Sequence, residues 1–224
     1  MQMVLQFVIG FLAFFFSIAH SSEVQRPLSI IFLDIDGVLM DWRNLPQMRA
    51  KIEQKAIELF GRGYYTDLQW KTAGSHCFLE TAVGSLVKLI EQANEVADVG
   101  IVLSSSWRLD CTLDEIKNQM FVNLPFSMHF IDKIPDDDER RKNRGEEQLS
   151  PIALIKYGFT LDTRGSQIDY WLREHHANWN IKNFVIIDDV DDEISSRFAD
   201  NFVKVNEFLS PPEVKKAYEI LRKP

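Results

Sequence analysis

Three solid apolar runs punctuate the chain: Leu28–Leu33 (LSIIFL), Val99–Leu103 (VGIVL) and Phe184–Ile187 (FVII). A strand covered on both faces carries apolar side chains continuously rather than alternately. The three runs therefore predict the inner strands of a parallel sheet. Met128–Ile131 and Phe202–Val205 are weaker strand candidates. Between the runs the spacing turns helical. Over Leu79–Val96, the residues Val83, Leu86, Val87, Ile90 and Ala93 fall on one stripe. Thr112-x-x-Glu115 and Ser210-Pro211-Pro212-Glu213 have capping-box spacing at a helix start. Gln167–His176 and Val214–Leu221 also read as helices. Strands alternating with helices mean βαβ units, hence an α/β fold around a parallel sheet.

Two segments break that rhythm. Met40–Cys77 separates the first strand from its return helix and carries a helical stretch, Met48–Phe60, and an aromatic group, Tyr64, Tyr65 and Trp70. Its position makes it a candidate cap over residues 40–77. Residues 108–150 form a second insertion, with a charged run, DDDERRKNRGEE, at Asp136–Glu147 that reads as a solvated loop. The first 22 residues differ from everything after them. They hold no Asp, Glu, Lys or Arg, and an apolar run at Phe7–Phe16 is followed by small residues. That run is shorter than the roughly 20 residues a spanning helix needs. The pattern predicts a signal peptide over residues 1–22, with a membrane anchor over residues 4–19 as the alternative. The expected folded unit is then residues 23–224, exported to the periplasm or beyond, or membrane-tethered.

Composition narrows the function. The 224 residues carry 25 Lys+Arg and 33 Asp+Glu, a net charge of −8. Capture of nucleic acid along a broad face needs a basic stripe, which this balance lacks, so nucleic acid is not the expected partner. Cys77 and Cys111 are too few for a disulfide scaffold or a Cys-only zinc site. Export would permit a bridge between them; two free thiols are the other reading.

The unusual polar clusters all sit where predicted strands end, which is where ligands bind parallel α/β sheets. Asp34-Ile35-Asp36-Gly37 follows the first run. Two-residue periodicity in extended chain puts Asp34 and Asp36 on one side. Their mutual repulsion calls for a cation or a proton between them. All-oxygen ligands favour Mg²⁺. Ser104-Ser105-Ser106 follows the second run; hydroxyls and free N–H groups there suit phosphate oxygens, Ser104 first and Ser105 next. Asp188-Asp189-Val190-Asp191-Asp192-Glu193 follows the third, and Asp188 and Asp189 at the tip are the further candidate metal ligands. Asp191, Asp192 and Glu193 suit outer-shell ligands or the first turn of a helix. Arg164, just before the Gln167–His176 helix, suits a cation that meets developing phosphoryl charge; Lys156 and Arg108 compete for that role.

Together these motifs resemble the haloacid dehalogenase (HAD) superfamily of phosphohydrolases. FLDIDGVL at Phe32–Leu39 matches its first motif, IVLSSSWR at Ile101–Arg108 its second, and VIIDDVDD at Val185–Asp192 its fourth. LSSSWR together with TRGSQIDYWL at Thr163–Leu172 is similar to the HAD domains of Swiss Army Knife RNA repair proteins. The resemblance implies a three-layer Rossmann-like fold with strand order 5-4-1-2-3 and a small cap insertion. It also implies roles. Asp34 would be the nucleophile and Asp36 the general acid and base. Mg²⁺ would be held by Asp34, the Asp36 carbonyl and Asp188 or Asp189. Ser104, Ser105 and Arg164 would hold the phosphate. The expected activity is a Mg²⁺-dependent phosphatase acting on a small phosphomonoester. A nucleic-acid end-repair phosphatase, or a secreted binding protein on an inactive scaffold, are the alternatives.

Overall fold

The computed structural model describes residues 26–41, 43, 45–109, 111–135, 163–176 and 178–223. The predicted signal segment, the charged run Asp136–Glu147 and Lys156 lie outside them. Five strands, β1 (Leu28–Leu33), β2 (Asp98–Leu103), β3 (Phe130–Lys133), β4 (Ile181–Asp188) and β5 (Phe202–Lys204), form one sheet. Every pairing is parallel, in the order β3-β2-β1-β4-β5. Read from the other edge this is 5-4-1-2-3, the order the resemblance implied.

Seven helices are described: α1 (Leu45–Phe60), α2 (Asp67–Ser75), α3 (Glu80–Asn94), α4 (Leu113–Glu115), α5 (Arg164–His176), α6 (Ile194–Phe198) and α7 (Pro211–Leu221). None of the described helices is long and apolar enough to cross a membrane. Successive side chains of a strand leave opposite faces of the sheet, so each apolar run feeds two cores. Ile31, Leu33, Ile101, Leu103, Val185 and Ile187 join one core, closed by α1, α3 and α7. Ile30, Phe32, Val102 and Ile186 join the other, closed by Ile168 and Trp171 of α5 and Ile194 of α6. Phe32 meets Trp171 edge to face, centroids 5.3 Å apart, the arrangement aromatic quadrupoles favour. The unbroken runs are thus explained: both faces of β1, β2 and β4 are covered.

The insertion between β1 and α3 folds as the helix pair α1–α2. Met48, Ile52 and Ala56 of α1 and Ala73 of α2 are buried in the first core, so this cap is packed down on the domain. Tyr65 and Trp70 pack partly against the same core, whereas Tyr64 is fully exposed.

Three local readings shift. The strand expected at Met128–Ile131 lies at Phe130–Lys133, because Ser127–His129 turn as a 3₁₀ helix and pairing begins only at Ile101↔Phe130. Helix α5 starts at Arg164 rather than Gln167. The Arg164 N–H is taken by the Asp192 carboxylate at 2.7 Å, a partner from a distant loop. Thr112 and Glu115 form both halves of their capping box, but Ser210 makes no cap bond to backbone; its hydroxyl donates to the Glu213 carboxylate instead. Cys77 and Cys111 are not joined by a disulfide.

Candidate active site

Strand register sets the site. Leu33 is level with Leu103 on one side and Ile187 on the other. The next residues, Asp34, Ser104 and Asp188, therefore emerge side by side at the carboxyl ends of three adjacent strands. Backbone bonds hold them level: Asp34 N–H donates to the Ile187 carbonyl at 3.0 Å and Ser104 N–H to the Leu33 carbonyl at 2.9 Å. Chain order reverses between β1 and β4, and this switch point is where such sheets open a ligand crevice.

Three carboxylates converge there. One oxygen from each of Asp34, Asp188 and Asp189 lies within 4.8 Å of the others. Asp34 and Asp188 are buried and Asp189 is partly so. The Arg164 guanidinium reaches in from the first turn of α5, its Nη1 donating to Asp34 Oδ1 at 2.5 Å and Asp188 Oδ2 at 2.8 Å. Burial opposes the guanidinium charge, but Asp34 and Asp188 outweigh it and hold the Arg164 pKa above its ordinary value. Burial and the adjacent Asp34 charge push Asp188 up to about 7, against the pull of Arg164. Burial and Asp34 also raise Asp189. One guanidinium is thus too little positive charge for three close carboxylates. An all-oxygen donor set with uncompensated negative charge fits a hard divalent cation such as Mg²⁺.

Gly37 gives Asp189 its place. Its φ is +74°, and a Cβ there would stand 2.2 Å from Asp189 Oδ2. The left-handed conformation costs a non-glycine residue about 1–2 kcal/mol before any clash. Gly37→Ala is therefore expected to lower the melting temperature and to weaken any binding of a divalent cation at the three acids at least about tenfold, read by calorimetric titration.

The two serines part company. The Ser104 hydroxyl is fully buried at the tip of β2 and has no hydrogen-bond partner among the described residues. A buried hydroxyl left unpaired costs free energy, and Ser104 shares that state with Ser29 of β1; Ser104 is the one that follows the end of its strand, level with Asp34 and Asp188. The Ser105 hydroxyl instead accepts the Trp107 N–H and caps the 3₁₀ turn Ser106–Arg108. Arg108 is committed away from the acids. Its Nε donates to the Ile134 carbonyl, Nη1 to the Ser104 and Ser105 carbonyls, and Nη2 to Gln167 Oε1. It thereby ties the serine turn to the end of β3 and to α5. Of the two basic candidates among the described residues, Arg164 is the one bonded to the acids.

The family of HAD domains in Swiss Army Knife RNA repair proteins matches residues 30–211. The chain belongs to this family. No curated protein matches it. In this HAD domain Asp34, Asp188, Asp189 and Arg164 meet at the strand ends, with Ser104 on the neighbouring strand end. Asp36 stands apart from the group of three. Half-buried, it turns its carboxylate to the Trp107 indole, whose Nε1–H donates to Oδ1 at 3.0 Å and Oδ2 at 3.1 Å. Trp107 stands four residues past the end of β2, within the IVLSSSWR motif, and that place was the signal available in the sequence.

The acidic run after β4 is likewise divided. Asp191 bonds Ser195 at the start of α6, and Glu193 bonds Thr163 and Arg197. Asp192 not only receives the Arg164 N–H; its carbonyl also accepts the Gly165 N–H at 3.1 Å. Asp192 and Glu193 hold positive φ, +32° and +64°, to make these contacts. The run therefore fixes the helix that carries Arg164 as well as supplying Asp188 and Asp189.

Proposed function

We propose that this HAD phosphohydrolase is a Mg²⁺-dependent phosphomonoesterase that works through a phosphorylated Asp34. The observation that carries the reading is the juxtaposition of the buried, Arg164-bonded Asp34 with the unpartnered Ser104 hydroxyl. One group is a carboxylate held for attack and the other is a donor held for a phosphate oxygen.

Bound at Asp34, Asp188 and Asp189, with the Asp36 carbonyl added by the resemblance, Mg²⁺ supplies positive charge that lets an anionic nucleophile approach an anionic phosphate. The protein's own groups do the rest. Ser104 Oγ donates to a phosphoryl oxygen, and Arg164, held by Asp34 and Asp188, faces the charge that spreads over those oxygens. An Asp34 oxygen forms a bond to phosphorus while the bond to the leaving oxygen breaks. Asp36 gives its proton to that oxygen. Asp36 then takes a proton from water, which attacks the phosphorus, freeing inorganic phosphate and restoring Asp34. Ser105 supports this site through the turn it caps.

The expected substrate is a small phosphorylated molecule. The test is a panel of phosphate esters, including 3′- and 5′-phosphorylated oligonucleotides, assayed with and without Mg²⁺. Turnover of small esters that chelation removes supports the proposal, and no turnover on any member overturns it. Turnover confined to the oligonucleotides would place the enzyme in nucleic-acid end repair, as the family's description suggests.

Metal binding should depend on pH with a definite sign. The folded pKa of Asp188 is raised to about 7 from 3.8. A raised carboxyl stabilises the fold below its unfolded value and loses that contribution as pH rises through its folded value. Without metal, the melting temperature is therefore expected to fall between about pH 4 and pH 7 through this group. Mg²⁺ needs the ionised carboxylate, so its apparent affinity should drop about tenfold per pH unit below about pH 7. Thermal melts across that range, with and without Mg²⁺, check both trends.

A further inference from the structure

We propose that Trp107 is a positioning residue that holds Asp36 where it protonates the leaving oxygen, and that cap helix α2 sets where Trp107 stands. The inference rests on the phosphatase reading above. The indole N–H is shared between both Asp36 oxygens, at 3.0 and 3.1 Å, so it fixes the carboxylate's direction rather than grasping one oxygen. The indole itself has little freedom. It is 7% exposed and rises from the 3₁₀ turn that Ser105 caps and Arg108 ties to β3 and α5. Phe121 stacks on it with centroids 6.3 Å apart and planes 18° apart, and Phe78 packs at 5.6 Å. Helix α2 closes the remaining side at Gly74, where a Cβ would stand 2.7 Å from Trp107 Cη2. Only a hydrogen fits between the cap helix and the ring. The position of α2 thus passes through one rigid side chain to the acid.

The chemistry gives this role a signature that plain packing lacks. An alkyl leaving group departs as a poor alkoxide unless it is protonated, whereas p-nitrophenolate leaves unaided. Misaiming Asp36 should therefore penalise alkyl phosphates selectively. With Mg²⁺ present, Trp107→Phe keeps a ring in the pocket and removes the N–H. It is expected to lower kcat on an alkyl phosphate about tenfold to a hundredfold, the scale of a small misplacement of a catalytic group. On p-nitrophenyl phosphate kcat should change about threefold or less, with KM unchanged on both. Gly74→Ala, which must push the ring, should give the same selective loss without touching the N–H.

A spectroscopic readout stands beside the kinetics. Of the five tryptophans, one indole N–H resonance should move in Asp36→Asn, and the same resonance should move in Gly74→Ala. Equal losses on both esters, no loss on either, or no indole shift in Asp36→Asn would overturn the inference while leaving an active phosphatase. A wild-type protein that turns over neither ester overturns the phosphatase reading and this inference together.

Discussion

Asp34→Asn is expected to abolish phosphate release, lowering kcat by at least about a thousandfold, the scale on which losing a covalent nucleophile is felt. Asparagine keeps the shape and one oxygen of the side chain, so Arg164 retains an acceptor, and Asp188 retains its bond to Arg164. What disappears is the charge that attacks phosphorus. It is also a charge that raises Asp188 and Asp189. The metal-free melting temperature should therefore not fall, and Asp188 should ionise at lower pH. Loss of turnover with an unchanged or higher melting temperature separates a chemical role from a structural one. Substantial turnover in the variant would remove Asp34 from the mechanism.

Arg164→Ala should show the opposite balance of stability and metal. The guanidinium is the described cation bonded to both buried carboxylates, with its side chain 20% exposed against 6% for Asp34 and 0% for Asp188. Removing one partner of a buried ion pair costs about 3–5 kcal/mol, because the other charge is left uncompensated. Here the cost should fall near the lower end, about 3 kcal/mol, since Asp188 can take a proton near neutral pH. Urea unfolding without metal should reveal it, and saturating Mg²⁺ should restore most of it by supplying the missing positive charge. Activity should still fall about a hundredfold to a thousandfold, as when a donor to transition-state charge is lost. Arg164→Lys should recover part of the stability and less of the rate, because an ammonium lacks the planar fork that spans two acids.

Much of this was legible in the sequence because the relevant signals are local. An apolar run covered on both faces, followed directly by Asp34, Ser104 or Asp188, states both the strand and the place where its chemistry begins. Parallel pairing in one register then brings residues from three distant runs level, so finding the strand ends was close to finding the site. The aspartates were less well divided. Two-residue spacing put Asp34 and Asp36 on one side, yet Asp34 joins Asp188 and Arg164 while Asp36 turns to Trp107. The left-handed turn at Gly37 begins directly after Asp36, and its consequence depends on Asp189 lying against it.

The features that escaped are those whose partners lie far along the chain. Trp107 and Asp36 are 71 residues apart, and no periodicity links them. The start of α5 is set by Asp192, 28 residues after Arg164. A propensity argument sees an Arg at an unfavourable helix start; the fold answers that penalty with a carboxylate from the loop after β4. Arg108 looked like a phosphate ligand because it is basic and near the serines. Its hydrogen bonds to the Ile134, Ser104 and Ser105 carbonyls show that it builds the turn instead.

The central claim is that the carboxylate at the tip of β1 becomes an acyl phosphate. Borohydride tests it most directly, because it reduces an acyl phosphate to an alcohol and leaves a free carboxylate alone. The protein would be mixed with Mg²⁺ and an ester that it turns over, quenched during turnover, reduced and digested. The account predicts that mass spectrometry finds Asp34 converted to homoserine, only when substrate is present, with Asp36, Asp188 and Asp189 unaltered. Steady turnover with Asp34 unaltered at every quench time, or conversion at a different aspartate, would contradict it.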